Sequence, residues 1–448
     1  MKKQLKDFMK AIGKDSVAII PAAHEKTRSY DTEYRFRQDS DFYYLTGFPE
    51  PDAIAVISPG DKKAPYILFV RPRDPEMEIW NGRREGVEGA VKNYGANKAY
   101  SIEKFEKMLP KLLDGKEKLY YRFGVDDKLD KLILQYLSIQ RFRRLKTPYP
   151  PHTIVDPTLI IGEMRLHKTP EEIELMKKAA DIAAEAHIIA MKSVKPGMTE
   201  AQVEAIIEHH FRMCGASGPA YNSIVGSGAN ATILHYVENN AVLKDGDLIL
   251  IDAGCEYKGY ASDITRTFPI NGRFTKAQRE IYDVVLETQL ECIKATRKGV
   301  TVKERQDLSI ELLTEGMKKL GLLKGSTKKL IKEKAYMRYY MHGVGHYLGL
   351  DVHDAGRYFL DQQTKFSRPF EPGMVLTVEP GIYVQPDDKE APAKYRGIGV
   401  RIEDDVLVTE EGNVILTSKV PKDPEEIEEL MNSSKKAEEI VELKIAKH

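Results

Sequence analysis

Two aspartates near the middle of the chain lie in a segment whose pattern predicts a β-hairpin. Asp252 ends an apolar run of leucines and isoleucines, and Asp263 precedes an alternating segment. A turn centred on Tyr257 and Lys258 would set the two aspartates directly opposite each other, with Cβ atoms about 5 Å apart. Like charges there destabilise a sheet, and a divalent cation between the carboxylates would compensate. The alternative is two exposed aspartates, but the apolar run predicts a strand buried on both faces.

Histidines are concentrated in a second segment. His342, His346 and His353 fall within twelve residues of a glycine-punctuated stretch that does not predict a regular helix, and His235 follows another glycine-rich segment. A lone histidine is usually structural, whereas this density indicates a site. His342 and His346 also have the spacing of the zinc motif H-E-x-x-H, but Gly343 stands where that motif requires glutamate.

The last two thirds of the sequence contain two copies of one pattern. Residues 245–254 align with residues 372–381, and in both copies an acid follows six positions after a glycine. Asp252 and Glu379 therefore hold equivalent places, and the returning strand of the second copy offers Glu403 as the partner of Glu379. Two units related by a pseudo-two-fold axis would bring these acids together.

Capping boxes mark the helix starts in this region. Thr169-Pro170-Glu171-Glu172 predicts a helix that runs to about Ser193, and Thr199 predicts the start of the next one. Helices at 275–298 and 301–320 form a second pair. The two helix pairs precede the two acidic strands, which supports the duplication.

Residues 1–160 alternate helix and strand patterns and predict a separate α/β domain. The predicted strands are Ser16–Ile20, Ala53–Ser58, Tyr66–Val70 and Leu119–Arg122, and the predicted helices are Ser101–Leu113 and Asp127–Ser138. A proline-rich stretch at 147–157 predicts a linker. Trp80, the single tryptophan, lies in a loop-like segment where either a substrate contact or a structural anchor would explain it.

Length and composition restrict the class of protein. A chain of 448 residues predicts two or more domains, and its 68 basic and 68 acidic residues argue against a nucleic acid or anionic membrane recognised by charge. Three widely separated cysteines predict a reducing compartment rather than a disulfide framework. No apolar segment approaches the roughly 20 residues that span a bilayer. A cytoplasmic protein without a signal peptide is expected.

Together with the aromatic and charged stretch at 34–48, these residues resemble the pita-bread metallopeptidases, and within them the Xaa-Pro aminopeptidase (aminopeptidase P) family. The resemblance implies an α+β fold with a pseudo-two-fold pita-bread domain at 161–425. An α/β domain at 1–160 would precede it. The last twenty or so residues lie outside the resemblance, and their own charged helical pattern predicts a solvated or subunit-contacting tail at 426–448. The implied activity is that of a metallo-exopeptidase that releases the N-terminal residue from peptides with proline in second position.

The resemblance also implies roles for individual residues. The implied metal ligands are Asp252, Asp263, His346, Glu379 and Glu403. They would hold two divalent ions, and one imidazole among four carboxylates favours Mn(II), with Zn(II) or Co(II) as alternatives. A hydroxide between the ions would attack the Xaa-Pro bond. The implied catalytic residues are His235, His353 and Arg401, and the substrate-binding residues are Tyr221, His342 and Tyr383, to which we add Trp80.

Two alternatives stay open on the sequence alone. A prolidase shares the ligands and the two-domain plan but accepts only Xaa-Pro dipeptides. A non-catalytic pita-bread module would bind peptides without metal, although none of the five implied ligands is missing. The expected partners are peptides that begin with Xaa-Pro and further copies of the chain, as a homodimer or homotetramer. Neither a nucleic acid nor a membrane is expected.

Overall fold

The computed structural model describes residues 1–140, 148–361 and 363–433. The chain divides into two compact units, Met1–Met164 and Arg165–His448. The domain boundaries expected near 160 and 425 stay predictions. Among the helices of the described residues, none combines the length and the apolar character that a membrane crossing needs.

A six-stranded mixed sheet, in the order β6-β5-β4-β1-β7-β8, forms the centre of the N-terminal unit. The strands of this unit are β1 Ser16–Pro21, β2 Thr27–Ser29, β3 Thr32–Glu33, β4 Ile54–Ile57, β5 Tyr66–Val70, β6 Lys98–Ser101, β7 Lys118–Tyr120 and β8 Thr153–Val155. Its helices are α1 Lys3–Ile12, α2 Ser40–Thr46, α3 Pro75–Asn81, α4 Gly86–Lys92, α5 Phe105–Leu113 and α6 Asp127–Gln140, and α7 Thr158–Leu166 follows. The mixed pattern predicted for the first third is confirmed.

One strand of this sheet differs from the prediction. β8 lies inside the stretch predicted as a linker, and it pairs in parallel with β7 as an edge strand. It has only three residues and is flanked by Pro150, Pro151 and Pro157. Prolines are tolerated in and beside edge strands, which do not need every backbone N–H for pairing. A three-residue segment is also too short to show a periodic pattern.

The second unit contains two long helix pairs. They are α8 Pro170–Ser193 with α9 Glu200–Met213, and α10 Lys276–Ala295 with α11 Val302–Lys319. Each helix begins with a capping box in which a threonine hydroxyl accepts a backbone N–H and a glutamate or glutamine three residues later bonds the threonine N–H. The helix starts predicted from the sequence are confirmed.

The two halves of this unit repeat the same backbone contacts. Gly197 N–H donates to Leu243 O, and Gly299 N–H donates to Phe370 O, each over 2.9 Å. Both glycines have positive φ angles, 91° and 87°. These equivalent turns come just before α9 and α11, as the predicted duplication requires.

The strands of the second unit are short and antiparallel. They are β9 Gly218–Pro219, β10 Ile224–Ser227, β11 Leu248–Asp252, β12 Cys255–Tyr257, β13 Tyr260–Ala261, β14 Thr265–Pro269, β15 Phe359–Asp361, β16 Phe366–Ser367, β17 Val375–Val378, β18 Gly381–Val384, β19 Ile398–Arg401, β20 Asp404–Val408 and β21 Asn413–Ile415. Ile249 and Ile251 of β11 pack in one apolar core with Val400 and Ile402 of the second half. Both halves therefore share the core that supports the acidic residues.

Two further helices complete the described part of this unit, α12 Thr327–Lys332 and a helix at 424–433. The sequence predicts a solvated or subunit-contacting extension from 426 onward. Ile427 and Met431 instead lie in the core of the unit, because an apolar pair four positions apart forms one buried helix face. The rest of that predicted tail, from 434 onward, lies outside the described residues.

Candidate metal centre

A cavity of about 470 Å³ lies in the second unit, and most of the predicted site residues line it. The lining consists of Tyr221, Asn222, Ile224, Leu234, His235, Val237, Asp252, Asp263, His342, Gly343, Gly345, His346, Val352, His353, Glu379, Arg401 and Glu403. All five predicted metal ligands belong to this set. Among the described residues, Tyr383 and Trp80 are the predicted site residues outside it.

The register of the first acidic hairpin differs from the prediction. Tyr257 pairs with Tyr260, so Lys258 and Gly259 form the turn, and Asp252 pairs with Thr265 rather than with Asp263. Lys258 and Gly259 have φ angles of 50° and 89°. A two-residue turn whose twist matches the strands needs positive φ at both positions, which glycine provides most easily. The turn therefore lies one residue later than predicted, and the predicted partner of Asp252 was wrong by two positions.

The two aspartates nevertheless meet at one side chain. The Tyr221 hydroxyl lies 2.6 Å from Asp252 Oδ1 and 2.5 Å from Asp263 Oδ1. One hydroxyl proton can be donated to only one of these carboxylates at a time. Asp252 Oδ2 also accepts a hydrogen bond from Arg401 over 2.7 Å, whereas the backbone N–H of Asp263 donates to Asp405.

The second half contributes Glu379 and Glu403. Val378 pairs with Asp404 at the end of the β17–β20 ladder. Glu379 follows Val378 and Glu403 precedes Asp404, so the same register places the two glutamates opposite each other. Glu403 Oε2 accepts a 2.6 Å hydrogen bond from the Thr265 hydroxyl, and Glu403 N–H donates to Thr265 O. Thr265, which the sequence analysis missed, thus joins the two acidic strands across the duplication.

His346 faces the carboxylates with one ring nitrogen. Its Nδ1 lies 3.0 Å from the Tyr347 carbonyl, which can only accept, so Nδ1 carries a proton and Nε2 is the nitrogen that could bind a metal ion. Nε2 lies 3.5 Å from Asp263 Oδ2 and 3.4 Å from Glu379 Oε1. Ligand atoms of Asp263, His346 and Glu403 all lie within 4.8 Å of one another.

The buried carboxylates of this cluster would be stabilised as anions by a nearby positive charge. Burial, followed by the charges of Asp252, Asp405 and Glu379, raises the pKa of Asp263 well above its ordinary value. Burial and the neighbouring carboxylates also raise the pKa of Glu403 well above its ordinary value. Buried acids that repel one another are stable as anions only beside cations. The oxygen-rich donor set, with one correctly oriented imidazole, fits divalent metal ions.

Thr377 forms hydrogen bonds with two of the predicted metal ligands, His346 and Glu379. It was also missed by the sequence analysis. Its hydroxyl accepts the His346 N–H over 3.1 Å and donates to Glu379 Oε1 over 3.3 Å. Its carbonyl accepts from the buried Arg305. A polar residue in the otherwise apolar strand β17, two positions before an acid, was the signal available in the sequence.

We expect Thr377→Val to weaken metal binding about 10- to 100-fold, as removal of an outer-shell partner does. The valine keeps the strand packed but cannot orient His346 or Glu379. Titration of the metal-free protein with Mn(II) would measure this, and activity should return at higher metal concentration. Thr314→Val is the matched control, because the hydroxyl of this buried threonine donates to Ile310 O of its own helix. Unchanged affinity in Thr377→Val would contradict the assignment.

A second chain of contacts leads from Asp252 to His342. Arg401 donates to Asp252, to Thr265 and, over 3.1 Å, to the Tyr383 hydroxyl. Tyr383 Oη lies 2.8 Å from His342 Nε2. Burial lowers the pKa of His342, which keeps this ring neutral. Tyr383 is buried behind the cavity wall, and its predicted role in substrate binding stays a prediction.

The remaining predicted residues have different surroundings. The His353 ring lies 4.3 Å from the His346 ring, and burial and then His346 lower the pKa of His353. His235 is exposed on the cavity wall. Trp80 belongs to the N-terminal unit, where it lies in the last turn of helix α3 rather than in the predicted loop, and it is 82% exposed. Its predicted substrate contact stays a prediction.

Comparison with known proteins identifies both parts of the chain. Residues 174–410 match Metallopeptidase family M24, and residues 1–121 match the Aminopeptidase P, N-terminal domain. The Xaa-Pro aminopeptidase of Escherichia coli is 48% identical, over 94% of this chain and 95% of that protein. The aminopeptidase PepP structure of Pseudomonas aeruginosa superposes with a TM-score of 0.94 at 46% identity, covering 97% of this chain and 98% of that one.

Two structures of aminopeptidase P from E. coli bear on ligands, one with the inhibitor Pro-Leu and one that is Zn-substituted and in complex with product. Both have a TM-score of 0.92 and 46% identity; the first covers 97% of this chain and 98% of that chain, the second 96% and 97%. The resemblance and fold predicted from the sequence are confirmed. The chain belongs to metallopeptidase family M24, as an enzyme of the Xaa-Pro aminopeptidase type.

Proposed function

We propose that Asp252, Asp263, His346, Glu379 and Glu403 hold two divalent metal ions, and that the enzyme releases N-terminal residues that precede proline. The observation that carries the proposal is the convergence of ligand atoms from Asp263, His346 and Glu403 within 4.8 Å. Tyr221 ties Asp252 to the same centre. The close homologues, which are Xaa-Pro aminopeptidases, support the same activity.

Four carboxylates and one imidazole favour Mn(II) over softer metals. Zn(II) and Co(II) are the alternatives, and the Zn-substituted structure of the E. coli relative supports a site that tolerates more than one ion. When bound, such ions supply Lewis acidity and lower the pKa of a water molecule. The native metal is therefore proposed as manganese.

The chain's own residues would position the peptide. Ile224, Leu234, Val237 and Val352 give the cavity an apolar wall beside the metal ligands, which suits a pyrrolidine ring. An Xaa-Pro bond is a tertiary amide without an N–H, so it cannot be held as an ordinary hydrogen-bonded strand. A shaped pocket replaces that recognition, and the free α-amine of the substrate would be attracted to the acidic end of the site.

Two histidines are the proposed hydrogen-bonding groups at the scissile bond. His353 is kept neutral at pH 7 by its lowered pKa, and a neutral imidazole can donate a hydrogen bond to an oxygen that gains negative charge. His235 faces the same cavity. Arg401 bonds Asp252 rather than standing free, so we propose that it acts by orienting that ligand.

Substrate length separates this proposal from the prolidase alternative. With Mn(II) we expect the enzyme to cleave a Gly-Pro-containing tripeptide at least about tenfold better, in kcat/KM, than the dipeptide Gly-Pro, a difference of about 1.4 kcal/mol. The same series with Co(II) and Zn(II) tests the metal, and the tripeptide with alanine in place of proline is the control. Activity confined to the dipeptide would overturn the choice. The predicted homodimer or homotetramer and cytoplasmic location stay predictions.

A further inference from the structure

A second group of metal-ligand side chains lies outside the cavity lining. Glu185 belongs to helix α8, His210 to the last turn of α9, and Cys214 caps the C-terminus of α9. His210 Nε2 lies 3.3 Å from Glu185 Oε2 and 3.4 Å from Cys214 Sγ. One potential ligand atom from each residue lies within 4.8 Å of the others.

Two of these separations match edges of a tetrahedral zinc site. Zinc binds imidazole nitrogen at about 2.0–2.1 Å, carboxylate oxygen at about 2.0–2.2 Å and thiolate sulfur at about 2.3 Å. Tetrahedral angles then set nitrogen and oxygen about 3.3 Å apart, and nitrogen and sulfur about 3.5 Å apart. The observed 3.3 and 3.4 Å agree with both edges. His210 and Cys214, four positions apart, lie on one helix face.

Hydrogen bonding explains the arrangement less well. The single atom His210 Nε2 faces both the carboxylate and the sulfur. If it carries a proton, the 3.3 Å distance to Glu185 exceeds the usual N–H···O range of about 2.7–3.2 Å. If it does not, its lone pair can accept the Cys214 thiol proton, but the Glu185 carboxylate then lies 3.3 Å from the same nitrogen with no proton between them. A cation at the centre satisfies all three donor atoms.

We propose that Glu185, His210 and Cys214 bind one zinc-type divalent cation, separate from the two ions of the catalytic centre. Thiolate and imidazole ligands favour Zn(II) or Co(II), whereas the catalytic set of carboxylates favours Mn(II). The Glu185 side chain is 52% exposed, so an ion bound to it could be reached from solvent. The ion would link α8 to the end of α9, from which the chain continues to Tyr221.

The other two cysteines do not compete for this role. Cys255 and Cys292 are fully buried, and burial raises the pKa of each thiol to about 12. Cys214 is partly exposed. The cysteine in the cluster is therefore the one that can reach an ion from solvent.

Cobalt spectroscopy tests the site directly. The metal-free protein is loaded with Mn(II), kept reduced with a phosphine and titrated with Co(II). A thiolate-to-cobalt charge-transfer band should appear and saturate at one equivalent, because the proposed catalytic ligands include no thiol. Zn(II) should abolish the band by displacement. Calorimetry should show Zn(II) affinity falling at least about 10- to 100-fold in Cys214→Ser and His210→Ala, the loss that follows removal of even an outer-shell partner.

His209→Ala is the matched control, since this neighbouring histidine is exposed on the same helix, and it should keep the band and the affinity. Mn(II)-supported peptidase activity, which none of these substitutions should remove, verifies that each variant is folded. Glu185→Gln gives an independent variant that leaves α9 intact. Absence of the band in the wild-type protein, or its survival in Cys214→Ser, would overturn the proposal.

Discussion

His346→Ala should abolish peptidase activity while the protein stays folded, and Asp263→Ala should do the same. Both side chains point a ligand atom at the shared centre, and an alanine side chain offers no atom that could bind a metal ion. Metal ions stabilise developing charge by several kcal/mol, and each 1.36 kcal/mol is a factor of ten in rate. A fall in kcat/KM of more than about 1,000-fold is therefore expected at saturating Mn(II).

Asp263→Ala should also reveal the electrostatic strain of the metal-free site. Burial and neighbouring acids raise the pKa of Asp263, so its charged form destabilises the fold when no cation is bound. Without metal, the variant should be at least as stable as the wild-type protein. With Mn(II), only the wild-type protein should gain the full stabilisation that ligand binding confers.

Thermal unfolding with and without Mn(II), together with kcat/KM on an Xaa-Pro tripeptide, would measure both effects. His209→Ala is the control for His346→Ala, because it makes the same truncation at an exposed site. Normal turnover in either ligand variant would refute the metal assignment. A metal-free Asp263→Ala protein that unfolds well below the wild-type temperature would refute the electrostatic argument.

Asp354→Asn should cost about 3 kcal/mol of stability, the lower end of the range for breaking a buried ion pair. Asp354 is buried directly after His353, and its carboxylate accepts from Lys168 Nζ over 3.0 Å and from Arg165 over 2.5 Å. Lys168, whose side chain is 1% exposed, would lose the charge that compensates it. Arg165 keeps a second carboxylate, Asp351, and for this reason we expect the lower end.

The same group gives a pH dependence with a definite sign. Burial alone would raise the pKa of Asp354, but Lys168 and Arg165 outweigh it and hold the pKa below its ordinary value of 3.8. A lowered folded-state pKa stabilises the protein fully above the unfolded value and loses that contribution as the pH falls through the folded value. The difference between wild-type and variant stability should be constant near pH 7 and shrink below about pH 4.

Urea denaturation of the metal-free wild-type and Asp354→Asn proteins, near pH 7 and below about pH 4, would measure this difference in the free energy of unfolding. Asp387→Asn, at an exposed position, should change stability by less than about 0.5 kcal/mol. The double variant Lys168→Met with Asp354→Asn should recover part of the loss, because the uncompensated cation is gone. If the single and double variants were equally unstable, the buried charge would not be the cause.

Local patterns in the sequence were sufficient for much of the fold. The start of the helix at Thr169-Pro170 was predicted because a capping box involves only residues three positions apart, and the predicted end at about Ser193 is also observed. Asp252 and Glu379 were singled out in the same way, since an acid at the end of an apolar strand is visible within ten residues. The family and the enzyme class predicted from these residues are confirmed by the comparisons.

The tertiary structure decided what depends on distant residues. The predicted partner of Asp252 was wrong by two positions, because the backbone conformation at Lys258 and Gly259 sets the turn one residue later than predicted. The hydrogen bond from Thr265 to Glu403 and the one from the His346 N–H to Thr377 each join residues more than thirty positions apart, so no short window of sequence contains both partners. The sequence determined which side chains have metal-binding chemistry, whereas packing between the two halves determined which of their atoms meet. The type of a side chain is a local property of the sequence. The meeting of ligand atoms from distant residues requires long stretches of chain to close into loops, and the geometry of those loops exists only in the folded protein.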